Sequence, residues 1–146
     1  MKECRCGITV HKKSKEKFLR EIKTITKRSN GKGFLWLKNR LTEYVRGWIG
    51  YYCMADMKSF LQETEAWYHR RLRCYIWKSW KRVRTRFKNL MKCGISRWWA
   101  WQWANTRKGY WRIADSWILH RAITNVGLAI QGYPSLIGIY AKLHRN

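Results

Sequence analysis

Apolar residues along this chain recur at helical spacing almost from end to end, and alternation of the strand type is scarce. Phe18, Leu19, Ile22 and Ile25 predict one face of a first helix over 15–28, with Ser14 as its N-cap. The Ser-Asn-Gly-Lys-Gly run at 29–33 ends it, and Gly31 suits a left-handed cap. Leu37, Leu41, Tyr44, Val45, Trp48, Ile49 and Tyr52 predict a second helix over 34–53. Asp56 is a candidate cap for a third, over about 57–82, with Phe60, Leu61, Thr64, Trp67, Tyr68, Leu72, Tyr75 and Ile76 inward. The stretch 83–91 continues or restarts that helix, and Gly94 stops it. Ser96 then heads a Trp-rich helix over 97–105, and short helices follow at 117–123, 126–131 and 136–143, the last two separated by Gly132 and Pro134. Residues 1–13 alternate and read as a short extended segment. The expected fold is all-α, a helical bundle with that extended N-terminal segment. Residues 14–95 are its main part, and 96–146 a Trp-rich extension of the same domain.

Charge changes the picture. The chain has 146 residues, 32 Lys and Arg, and 8 acids, a net charge of +24. After Glu65 the one acid is Asp115. Between Trp67 and Lys92 ten basic residues are interleaved with Trp67, Tyr68, Tyr75, Trp77, Trp80 and Phe87, with no acid among them. Cations at this density call for a polyanion, and rings add apolar anchoring, so the stretch reads as a nucleic-acid-binding surface. A charge run alone also describes a solvated face or a disordered arm. A composition 46% hydrophobic, with 11 Trp and 8 Tyr, argues against the disordered arm. Eleven Trp exceed what one core of this size holds, so some rings are expected at the surface, for bases or a partner domain.

Other chemistries are poorly supplied. Metal-dependent polymerases and nucleases need clustered carboxylates, and the acids here are scattered. No Gly-rich phosphate loop occurs, and His11, His69, His120 and His144 stand apart from nucleophiles. Cys4, Cys6 and His11 make at most half of a zinc site, without a second pair at finger spacing. The expectation is therefore no enzyme, no cofactor and no metal. With no signal peptide and no span apolar enough for a bilayer, reduced thiols in a bacterial cytoplasm are expected.

Arg-Gly-Trp-Ile-Gly-Tyr-Tyr at 46–52 has a sharper meaning. With its surroundings it resembles the maturase-specific, or thumb, domain of group II intron reverse transcriptases. His-Lys-Lys-Ser at 11–14 is similar to the family's palm-to-thumb junction, and Lys-Arg-Ser-Asn-Gly at 27–31 to its inter-helix turn. Arg-Arg-Leu-Arg at 70–73 and Trp-Lys-Ser-Trp-Lys-Arg at 77–82 resemble its next long helix. The runs 89–95, 104–112, 124–128 and 132–136 resemble the segments after it. The resemblance implies RNA binding and help with intron splicing in a ribonucleoprotein. The palm with its paired catalytic aspartates, and any endonuclease module, are expected to be absent from this chain.

The candidate RNA contacts are Lys12, Lys13, Lys27, Arg28, Arg46, Arg70, Arg71, Arg73, Lys78, Lys81, Arg82, Arg84, Arg86, Lys88, Arg97, Arg107, Lys108 and Arg112. The third helix is expected to carry the main face. Gly47 and Trp48 are open to a plain packing reading. The expected partner is a large structured RNA of group II intron type, and a separately encoded reverse transcriptase palm protein is a second candidate. The alternatives are a thumb fragment of such a split enzyme and a non-specific polycation.

Overall fold

The computed structural model describes residues 9–27 and 31–144, and over these the fold is all-α. The described helices are α1 (Lys12–Ile25), α2 (Phe34–Tyr52), α3 (Lys58–Ser79), α4 (Val83–Lys92), α5 (Arg97–Ala104), α6 (Tyr110–Ala114), α7 (Trp117–Ala122), α8 (Asn125–Ile130) and α9 (Leu136–His144). They group into two compact units. One comprises the residues up to Tyr68 and those from Gly132 onward, and the other is His69–Gln131. The boundary between them falls inside α3, and the last helix of the chain belongs to the first unit. The expected extended segment lies mostly outside the described residues. Its last two positions, Lys12 and Lys13, are already helical.

In the first unit α1 begins three residues earlier than its periodicity suggests. His11 caps it, accepting at Nδ1 from the amide of Lys13 at 3.0 Å. Ser14 is inside the helix, and its Oγ accepts from the Tyr52 hydroxyl at 3.1 Å. The helix ends at Ile25, so Gly31 (φ 71°) is left-handed but belongs to the following loop. Phe18, Ile22 and Ile25 of α1 are buried, as are Leu37, Leu41, Val45 and Ile49 of α2. These are the stripes that the spacing predicts. Phe18 stacks on Trp48 with centroids 4.1 Å apart. Met57, not Asp56, supplies the carbonyl that starts α3, accepting from the Leu61 amide.

The C-terminal segment is fastened to this unit by polar contacts. Glu65 Oε1 accepts from Ser135 Oγ at 2.8 Å and from the Leu136 amide at 2.9 Å, a carboxylate on the first turn of α9. The Tyr68 hydroxyl donates to Pro134 O at 2.9 Å, and the Tyr140 hydroxyl donates to Ala55 O at 2.8 Å. His144 Nδ1 donates to Cys53 O at 2.6 Å. Burial and the nearby Glu65 carboxylate push the Tyr68 phenol well above its ordinary range.

In the second unit Trp77, Leu90, Ile95, Ala100, Ile113, Ile118 and Leu119 form the core. The helical pattern breaks at Trp80–Arg82 and restarts as α4. The break leaves a helix-end carbonyl without its usual partner. Arg86 supplies one, donating from Nε to Trp80 O at 2.9 Å. At the other end of α4, Gly94 is left-handed (φ 90°). Its amide bonds Met91 O, and the Ile95 amide bonds Leu90 O, both at about the lengths of a Schellman closure (3.0 and 3.1 Å). Gly94 thus stops the helix as expected, and Ile95 joins Leu90 in the core. Ser116 and Thr124 cap α7 and α8 through their hydroxyls. The short α6 has no counterpart among the expected helices. Five residues are too few to show a period.

Candidate nucleic-acid interface

The candidate cations divide by what their side chains already touch. Three arginines of the second unit act inside it. Arg73 is 3% exposed. Its Nε donates to Ile123 O at 2.8 Å and its Nη2 to Asn125 Oδ1 at 2.6 Å, tying α3 to the turn between α7 and α8. Burial holds its pKa below the usual guanidinium value, and the Asp115 charge partly opposes this. Arg70 donates from Nε and Nη2 to Trp111 O at 3.0 and 2.8 Å, and its guanidinium lies 4.0 Å from the Trp111 ring centre. Arg86 bonds Trp80 O and lies 4.7 Å from the Trp77 ring centre. Arg73 in particular is turned inward, which corrects the expectation that it is one of the RNA contacts on the basic face of α3. At helical spacing Arg73 stands one turn before Trp77, which is also buried.

Most of the remaining candidate cations are exposed. Lys81, Arg82, Arg84 and Lys88 are exposed along the break and the first two turns of α4. Arg97, Arg107, Lys108 and Arg112 are exposed on and between α5 and α6, and Lys108 also lies over the Trp103 ring at 5.1 Å. Lys78 is half-buried and lies 5.7 Å from the Tyr110 ring centre. Arg71 is half-buried. In the first unit Lys12, Lys13, Lys27 and Arg46 are exposed. Arg28 lies outside the described residues.

The carboxylates do not gather. Glu65 serves α9, and Asp115 pairs with His120 at 3.2 Å on the surface. Among the described residues no group of three or more His, Cys, Asp or Glu could hold a metal ion, and Cys4 and Cys6 fall outside those residues. Among the described residues, too, no helix is long and apolar enough to cross a membrane.

Two features were not legible in the charge pattern. A Cβ built on Gly47 meets nothing within 4 Å, so this glycine makes room for no other part of the described fold. Trp48 is half-buried, with its ring against Phe18, Tyr52 and Phe60. The second feature is the outward rings of α5, with Trp98 at 62% and Trp101 at 53% exposure. Their spacing of three residues in the sequence is the signal that could have placed them together.

Fold and surface define a strongly basic, all-helical protein whose exposed cations occur in both units, the second of them almost free of acids. Residues 15–94 match the family described as group II intron, maturase-specific domain, and the chain belongs to that family. The match takes in α1 from Lys15 on, and α2 through α4, including Arg46-Gly47-Trp48, and α5 through α9 lie beyond it. No curated protein matches the chain. Membership gives the chain a role related to group II intron maturases, and the maturase-specific domain is a non-catalytic one.

Proposed function

We propose that this chain binds a large structured RNA of the group II intron type and stabilises its fold as a ribonucleoprotein. The observation that carries the reading is the exposed series Lys81, Arg82, Arg84 and Lys88, in a stretch of sequence with no acid between Glu65 and Asp115. Arginine forks hold phosphate oxygens in pairs, and lysines add point charge. Helical RNA offers a shallow minor groove with 2′-hydroxyls, so recognition is of shape, phosphate and sugar more than of base edges. A protein that binds only the folded RNA shifts the RNA's folding equilibrium toward that state. Arg97, Arg107, Lys108 and Arg112 extend the surface, and Lys12, Lys13, Lys27 and Arg46 add contacts from the first unit. The chain itself carries out no catalysis in this reading, and acts in a bacterial cytoplasm.

The test is binding of group II intron RNA across salt. Log affinity should fall linearly with log salt, with a slope of about −4 to −8 for roughly 5 to 9 neutralised phosphates. An affinity indifferent to salt between about 50 and 300 mM overturns the reading.

A second reading has one observation in its favour. Leu35, Tyr51 and Met54 of the first unit are each more than 70% exposed, apolar surface of the kind a partner protein covers. A separately encoded reverse transcriptase palm protein is that partner in the split-enzyme reading. Co-purification with such a protein, lost in Tyr51→Asp, supports it.

A further inference from the structure

α5 is an inverted helix. It buries its two alanines, Ala100 and Ala104, packs Trp103 against the core and turns Trp98, Trp99 and Trp101 outward. Trp99 and Trp103 meet Trp117 edge-on, with centroids 5.1 and 6.1 Å apart. Trp98 and Trp101 keep most of their ring surface open. They are three residues apart, and Arg97 is four before Trp101, so all three share one side of the helix. With Phe87 of α4 they line an open groove of about 610 Å³. Phe87 holds the edge of Trp101 at 5.5 Å and 88°, so one wall of the groove is fixed by the packing of α4 on α5. An apolar hollow of this kind on a protein surface marks a binding site.

Its charge selects the occupant. Arg97 is part of the lining. Arg84 and Lys88 stand three before and one after Phe87 on α4, and both are exposed. The segment 69–131 has 15 Lys and Arg against Asp115 alone. An unpaired nucleotide brings a flat apolar ring and an anion together, which is the combination this lining meets. We propose that the groove is a stacking site for an unpaired RNA base, with the ring on Trp98 or Trp101 and the adjoining phosphate on Arg97. This rests on the RNA-binding reading and adds the form of the ligand, a bulge, loop or single-stranded end in place of continuous duplex.

The experiment uses the full chain and three RNAs with equal numbers of phosphates. One is a hairpin with an unpaired tail, the second has abasic sugars in that tail, and the third is fully paired. The unpaired tail should bind about 10- to 100-fold tighter than either of the others, the range expected of base–aromatic stacking. Trp98→Ala/Trp101→Ala should abolish that difference while leaving the salt slope unchanged, and Trp98→Phe/Trp101→Phe should keep most of it. The abasic comparison leaves the protein unaltered, so it decides the matter even where the double alanine variant misfolds. Equal, salt-dependent affinity of the unaltered protein for all three RNAs overturns the stacking site and leaves RNA binding standing. Failure to bind any of them overturns both. Loss of an acidic protein partner from the double alanine variant, with RNA affinities unchanged, assigns the groove to protein and overturns the proposal.

Discussion

The two units solve the same problem, a large excess of positive charge, in different ways. The segments forming the first unit, 1–68 and 132–146, carry 17 Lys and Arg with seven acids. One of those acids has structural work, as Glu65 pins α9. The segment forming the second carries 15 with one acid, and that acid is taken up at the surface by His120. Without carboxylates to pair with, the second unit uses backbone carbonyls and aromatic faces as the partners of its arginines. Arg70, Arg73 and Arg86 all follow this pattern. Carbonyls and ring faces absorb a guanidinium without cancelling its charge, so the unit is held together and stays strongly positive. Under the proposed function, a unit that folds before RNA arrives and still attracts it has reason to be built this way.

The sharpest way to break this comparison is Trp77→Ala. Trp77 is 1% exposed and packs under Arg86, so its loss should cost about 3–5 kcal/mol. Chemical unfolding with separate probes in the two units should show the second unit melting first. A single shift of equal size in both would mean that the units unfold together. Arg73→Ala should be next, costing about 2–4 kcal/mol, since it strands the buried Ile123 carbonyl, loses the bond to Asn125 and empties the space the side chain filled. An Arg73→Ala variant of unchanged melting temperature and weakened RNA binding would return this residue to the interface.

Removing outward charge should do the reverse. Lys81→Ala, Arg82→Ala, Arg84→Ala and Lys88→Ala together should make the salt slope about 3 to 4 less steep. Exposed charges contribute on the order of 0–1 kcal/mol each, so the melting temperature should hold or rise as repulsion is relieved.

In the first unit Tyr68→Phe should cost about 0.5–1.5 kcal/mol through the lost bond to Pro134. The effect depends on pH. The folded-state pKa lies above the unfolded one, so the contribution is fully present below the ordinary tyrosine value of about 10 and is lost as pH rises beyond it. The unaltered protein should therefore lose stability more steeply than Tyr68→Phe when titrated above that value.

The smallest effect carries the opposite sign. Gly47→Ala should raise stability by up to about 1 kcal/mol, because a mid-helix glycine is replaced where the described fold leaves room. If RNA affinity falls at the same time, Gly47 serves the ligand and not the fold.

Periodicity by itself determined most of the helices. Long amphipathic stripes such as Leu37–Leu41–Val45–Ile49 bury the same residues in any helical packing, and Gly94 can stop α4 because only glycine takes that backbone turn without strain. Membership of the maturase-specific family was also legible, since short motifs keep their order whatever the packing. Tertiary structure alone decided which cations face outward. Arg70, Arg73 and Arg86 read in sequence as the same kind of residue as Lys81, Arg84 and Lys88, and differ in whether a carbonyl or a ring comes within reach, from 41 and 50 residues on for Arg70 and Arg73 and from the adjoining helix break for Arg86. The docking of α9 on the first unit was likewise invisible. It depends on Glu65, Tyr68 and Ala55 meeting Leu136, Pro134 and Tyr140 across 66 to 85 residues of chain, contacts that leave no local period behind.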